Sequence, residues 1–290
     1  MKEYKLMTDA TCDLPASVLE QMEIGVIPMD FEMAGETYRH FPDGREMGFH
    51  EFYEKVREGE MPKTSQINRM TYFKYFEPVL KAGKDILYIA FSSALSGTYQ
   101  ASVLAAEELE EKYPERRVIC VDSRSASVGE GLLVYAAALQ KEKGIPVDAL
   151  ADWVVRNREH VCHWFTVDDL NHLRRGGRIS PVMAVAGTAL GIKPVLRVDN
   201  EGNLVTAFKV RGRKKAIESI LDQMEKTAIN PKDQVVIIAH GDCKEDAKSL
   251  KHMVKSRFHV KDEIISYVGP IIGTHTGPGM LALVFFGTER

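Results

Sequence analysis

The apolar positions of this chain fall into short β-rich runs separated by amphipathic stretches. The runs predict strands at Tyr4–Thr8, Gly25–Phe31, Ile86–Phe91, Val118–Asp122, Val161–Val167, Val235–His240, Ile264–Val268 and Leu281–Phe286. Between them, apolar residues recur at helical spacing in stretches such as "FHEFYEKVRE", "MTYFKYFEPVLKAG", "GLLVYAAALQKEKG", "AIESILDQMEKTA" and "KEDAKSLKHMVKSRF". This alternation argues for parallel sheet with crossover helices. It breaks once. From Ile192, "IKPVLRVDNEGNLVTAFKVRG" predicts two strands joined at "DNEGN", a hairpin that belongs in a mixed sheet. A boundary after the helical "DALADWVVRNREH" gives an N-terminal α/β domain at 1–162 and a C-terminal one at 163–290. The expected fold is therefore α/β: a mostly parallel N-terminal sheet, a mixed C-terminal sheet, and a cleft where the two meet.

Composition changes this picture only by exclusion. With 44% hydrophobic and 27% charged residues, the chain is ordinary for a globular protein. A net charge of -3 offers no basic excess for nucleic acid or a membrane surface, and acidic neighbours offset the basic "RGRKK" and "LRRGGR". No apolar run approaches the roughly 18 residues of a spanning helix, and the N-terminus lacks a signal-peptide core. Cys12, Cys120, Cys162 and Cys243 form no CxxC and stand at no metal-ligand spacing with histidine, so no metal is expected. Reduced thiols in a cytoplasmic protein are the expectation.

The chemistry collects where strands hand over to helices, the places where open α/β sheets bind ligands. These loops read "TDATCDLP", "PKTSQIN", "SSALSGT", "DSRSASVGEG", "DDLNHLRRGGRIS", "GDCKE" and "GPIIGTHTGPG". Helix capping explains Ser125, Asp168 and one of Ser92, Ser93 or Ser96. It does not explain three serines together, nor "KTSQ", nor "THTGPG". A serine hydrolase using Ser96 or Ser93 is one alternative, although the G-x-S-x-G elbow is absent. A nucleotide cradle lacks GxxxxGK[ST], and "GPGMLA" is a fragment of a dinucleotide fingerprint interrupted by proline. A carboxylate clamp fits better, because hydroxyls and N–H groups at a helix N-terminus bind anions. The "GGR" arginine and the glycine-flanked histidine would add charge. The small, apolar "SPVMAVAGTALGIKPVL" is a core helix or a wall around an apolar tail. An anionic head with an apolar tail describes a fatty acid.

At "TDATCDLP", "KTSQ", "SSALSGTYQAS", "DSRSASVGEG", "LRRGGRIS", "IKPVL" and "THTGPGM" the sequence resembles the DegV family of bacterial lipid-binding proteins, almost end to end (3–288). The resemblance implies two α/β domains enclosing one long-chain fatty acid, without further cofactor, and makes the cleft a ligand channel between them. It also implies a carrier that is not catalytic alone. Such a carrier presents the carboxylate to a separate ATP-dependent kinase subunit, and the acyl phosphate feeds phospholipid synthesis. Matched by position, Thr64, Ser65 and Ser96 become carboxylate ligands, with Ser93 a further donor. Arg178 and His275 become supports for phosphoryl transfer, His275 also touching the acid, with Arg174 and Arg175 as alternatives to Arg178. Two departures stand out: Ala10 where the family usually has serine, and Ile67 where proline usually follows "TSQ".

Overall fold

The computed structural model describes residues 3–179 and 191–290. The strands among them are β1 (Tyr4–Asp9), β2 (Gly25–Ile27), β3 (Met29–Met33), β4 (Glu36–His40), β5 (Lys63–Thr64), β6 (Asp85–Ala90), β7 (Val118–Asp122), β8 (Val161–Thr166), β9 (Ile192–Val198), β10 (Leu204–Arg211), β11 (Val235–His240), β12 (Asp262–Tyr267) and β13 (Leu281–Phe286). One sheet, in the order β2-β1-β6-β7, is parallel throughout. Its β6 is buried along its whole length, as the unbroken "DILYIA" requires of a strand covered on both faces. A second sheet, β10-β9-β8-β13-β11-β12, is mixed: β11 and β12 are parallel, and its other pairs are antiparallel.

A third sheet, β4-β3-β5, is not foreseen by the sequence reading. The run Gly25–Phe31, read as one strand, divides at Pro28, which has no N–H to continue a ladder. β2 joins the parallel sheet, while β3 turns Met29, Phe31 and Met33 inward and Asp30 and Glu32 outward. Ala34 and Gly35 both take positive φ, 52° and 81°, and so form the tight turn into β4.

The largest apolar cluster runs through both main sheets, taking in Leu6 and Ile89 on one side and Phe165 and Val284 on the other. The helix Val128–Glu142 joins them, packing on β6, β8, β11 and β13 and contributing Leu133 and Ala137. A second cluster lies under the third sheet around Phe31, Phe52, Tyr72 and Tyr88. Ile67 is buried there, so the residue that replaces the family's proline serves as core. Residues 180–190 of the apolar stretch read as core helix or channel wall lie outside the described residues. No helix among the described residues is long and apolar enough to cross a membrane.

Candidate functional site

A cavity of about 280 Å³ lies between the carboxyl ends of the parallel strands and the inner face of the mixed sheet. The segments after β1, β6 and β7 contribute Thr11, Phe91 with Leu95 to Gly97, and Ala126 to Val128, while β8 and β13 contribute Phe165 and Val284. The helix Pro270–Thr276 closes one side with Ile271, Ile272 and His275. The lining is mostly apolar, with polar groups gathered in two places.

The first gathering is the head of the cavity. Thr64, Ser65 and Gln66 reach it because β5 pairs with β3 (Phe31 opposite Thr64) and the Ser65 N–H donates to the Asp30 carbonyl at 3.0 Å. Ser96 and Gly97 stand at the N-terminus of the helix Thr98–Lys112, whose first turn carries no acid. The helix dipole therefore favours an anion here. Ser96 Oγ lies 2.9 Å from Thr98 Oγ1 and accepts the Thr98 N–H at 3.3 Å. A Cβ at Gly97 would fall 2.3 Å from Gln66 Oε1, so glycine is what lets "TSQ" and "LSG" meet.

His275 Nε2 lies 3.0 Å from Thr64 Oγ1, while its buried Nδ1 has no partner and packs where a Cβ on Gly176 would stand at 2.1 Å. We assign the Nε2–H tautomer. That N–H donates to Thr64, freeing the threonine hydroxyl to donate into the cavity, and an unprotonated Nδ1 costs less against Gly176 than an orphaned N–H. Burial, and then the charge of Arg178, pushes the His275 pKa down to about 4. The histidine is thus neutral at pH 7 and supplies a hydrogen bond, which corrects the expectation of a cation.

Positive charge comes from Arg178, anchored by Nε to the Leu95 carbonyl at 3.2 Å and by Nη1 to the Gly176 carbonyl. Thr64, Arg178 and His275 also line an outer groove of about 360 Å³ with Met61, Lys63, His172 and Arg175. They form a partition between an apolar interior and a cationic exterior. Arg175 belongs to the groove alone and bonds His172 Nδ1 at 3.1 Å; Arg174 is exposed and lines neither space.

Ser93 does not join the head. It is exposed, and its Oγ donates to Asp122 Oδ2 at 2.6 Å while its N–H meets Asp122 Oδ1 at 3.2 Å. Ser92 is buried and donates to the Gly202 carbonyl at 2.9 Å. The serine cluster therefore divides its work, and only Ser96 faces the cavity.

The second gathering holds Thr11, Ser127 and His163, none of which the sequence singled out. Here "TDATCDLP" meets "DSRSASVGEG". Thr8 Oγ1 lies 2.9 Å from the Ile89 carbonyl and 2.7 Å from Glu130 Oε1. Thr11 Oγ1 bonds Asp9 Oδ1 and lies 2.9 Å from Glu130 Oε2. The Thr8 hydrogen goes to Ile89, so its contact with Oε1 requires a proton there on Glu130, while the Thr11 hydrogen bridges to Oε2 or to Asp9. Burial, reinforced by Asp9, accordingly raises the Glu130 pKa well above the usual carboxyl range. Asp13 accepts the Gly269 N–H at 2.9 Å and meets Ser127 Oγ at 2.5 Å; burial pushes it up to about 7. Elsewhere, His50, Glu54 and Asp242 stand close enough to share a metal ion, but they are outside the cavity lining and Arg57 pairs with Asp242 at 2.5 Å.

An α/β protein with a mostly apolar cavity, lined at one end by hydroxyls, a helix N-terminus and an arginine, offers the chemistry that holds an amphiphilic anion. The sequence matches the model of the DegV family, described as uncharacterised proteins, over residues 3–288, and the chain belongs to that family. It is 45% identical over 290 residues to a DegV domain-containing protein of Clostridium perfringens, covering 100% of this chain and 99% of that one. Among solved structures, it resembles a fatty-acid-binding DegV family protein of Thermus thermophilus with a TM-score of 0.88 at 33% identity, over 99% of this chain and 100% of that one. DegV of Bacillus subtilis, a fatty acid binding protein, gives a TM-score of 0.84 at 30% identity, over 98% and 99% of the two chains.

Proposed function

We propose that this protein binds one long-chain fatty acid between two α/β domains and presents its carboxylate to a separate kinase subunit. The division expected at 1–162 and 163–290 moves to just before Val161, so that β8 stays whole in the second domain. The carboxylate rests on Thr64, Ser65 and Ser96; the tail runs into the apolar cavity. The observation that carries this reading is the partition: Thr64, Arg178 and His275 line both the interior and the outer groove. A carboxylate held there is covered on its tail side and reachable from the cationic side. A carboxylate oxygen then attacks the γ-phosphorus of ATP held by the kinase subunit, and ADP leaves. The protein's part is to orient the nucleophile and to place Arg178 beside the charge carried by the transferring oxygens. The fatty acids bound by the related proteins support the ligand class.

Protein purified under mild conditions is expected to carry fatty acid, read by native mass spectrometry. A uniformly empty protein that ignores added palmitate and oleate sinks the proposal.

The tail dominates affinity, at about 0.8 kcal/mol per buried CH₂, before association costs. Each hydrogen bond to the carboxylate adds roughly 1.5–3 kcal/mol. Ser96→Ala is therefore expected to weaken binding about 10- to 100-fold without abolishing it, as titration with a fluorescent fatty acid would show. Loss beyond detection in a folded variant would contradict this division. A serine hydrolase fits the head poorly. Ser96 Oγ pairs with Thr98 and His275 Nε2 with Thr64, so no serine–histidine pair is formed. Fluorophosphonate labelling that disappears in Ser96→Ala would reverse that judgement.

A further inference from the structure

Strand β8 alternates its side chains between two faces, so that Val161, His163 and Phe165 point inward while Cys162 and Trp164 pack in the outer cluster. Periodicity calls for an apolar residue at the middle inward position. Histidine stands there instead, lining the cavity beside Phe165, Val128 and Val284. It is 4% exposed, and neither ring nitrogen has a hydrogen-bond partner among the described residues. The Val161 carbonyl favours a charged ring without meeting it in bonding geometry, whereas burial and the Arg290 charge favour the neutral form and prevail. The neutral ring offers one N–H and one lone pair to the cavity. Space for it is provided deliberately: a Cβ on Gly129 would fall 1.7 Å from His163 Nε2. The glycine belongs to "DSRSASVGEG", a motif that the carboxylate head does not use.

We propose that His163 is a second polar subsite of the cavity and selects acyl chains that carry a hydroxyl group along the tail. The inference rests on the fatty-acid reading above. An all-methylene chain offers neither ring nitrogen a partner, and the cost of burying them unpaired persists in the complex. A hydroxyl at the level of the ring accepts the imidazole N–H or donates to its lone pair. The mid-chain oxygen, costly elsewhere in an apolar channel, is then satisfied as well. Discrimination of this kind is strong because the site is built around a bond that the wrong ligand cannot make.

The test compares delipidated wild-type protein with stearate and with a series of hydroxystearates differing in hydroxyl position, by competition against a fluorescent fatty acid. At least one isomer is expected to bind about tenfold more tightly than stearate, the effect of one well-made buried hydrogen bond. In His163→Leu that preference is expected to vanish, the ratio of hydroxystearate to stearate affinity falling to about one. His163→Gln, which keeps a donor and an acceptor, is expected to retain part of it. If the wild type binds stearate and no isomer improves on it, the subsite is refuted and the fatty-acid reading stands. The same holds if His163→Leu keeps the preference. If the wild type binds neither acid, both readings fall. The wild-type comparison decides the matter even where a variant does not fold.

Discussion

His275→Ala is expected to lose acyl phosphate formation by about 10²–10³-fold, the effect of removing one preorganised donor, while fatty acid binding falls only a few-fold. His275 is neutral at pH 7, because burial and Arg178 hold its pKa down at about 4. Its role is directional: Nε2, 3.0 Å from Thr64 Oγ1, fixes where the threonine hydroxyl points. On the proposed function, Thr64 without the ring can still bond the carboxylate but is free to rotate, and the nucleophilic oxygen loses a defined approach to phosphorus. A carboxylate is a weak nucleophile, so orientation and charge stabilisation account for most of the catalysis available to it. Arg178→Ala should fall comparably, and its loss should be partly visible as weaker docking, since Arg178 also faces the groove. The readout is ATP-dependent acyl phosphate formed with a cognate kinase subunit, with fatty acid affinity measured in parallel. Full turnover by a folded His275→Ala protein would return the residue to a structural role.

Asp13→Asn should make the folded protein more stable than wild type at pH 8 and nearly remove one component of its pH dependence. In the unfolded chain this carboxyl has an ordinary pKa of 3.8, and in the fold burial raises it to about 7. Below the lower value both states hold the proton, and the contribution to stability is complete. As pH rises toward the folded value the unfolded state releases its proton and the folded state does not, so stability falls by roughly 4 kcal/mol in all. The groups facing Asp13 are Ser127, Gly269 and Asp9, with His40 on the adjoining small cavity. Asparagine reproduces the neutral acid: its oxygen accepts from Gly269 N–H and its amide donates to Ser127 Oγ. His40, lowered to about 3, and His275 titrate in the opposite sense, destabilising the fold as pH falls. Both are present in the two proteins and cancel in the difference. Urea midpoints at pH 5 and pH 8 measure it. Parallel losses in the two proteins would show that Asp13 is ionised in the fold.

The strands of the two main sheets were legible because most are short β-rich runs bounded by turn or helical signals, and "DNEGN" announced the antiparallel hairpin of β9 and β10. The third sheet was not. Pro28 hides a strand break inside an apolar run, and β5 is two residues long. The grouping of "TSQ", "LSG", "GGR" and "HTG" was legible in the sequence, and they converge on one cavity. Ser93 misled because a serine that bonds Asp122 is, by residue type, the same as one that bonds a ligand. The neutrality of His275 depends on burial beside Arg178, which no local pattern encodes. Thr11, Glu130 and His163 were invisible for a related reason: their contacts join residues more than a hundred positions apart or leave the side chain with no protein partner at all.

The helix Val128–Glu142 carries a thermodynamic consequence. Because its apolar face belongs to the same cluster as β6 of one sheet and β8, β11 and β13 of the other, neither sheet can lose its cover without exposing the other's. Melting should therefore be a single all-or-none event, with calorimetric and van't Hoff enthalpies in agreement. A lipid that fills the cavity touches both sheets and should raise the temperature of that one transition as a whole, without splitting it.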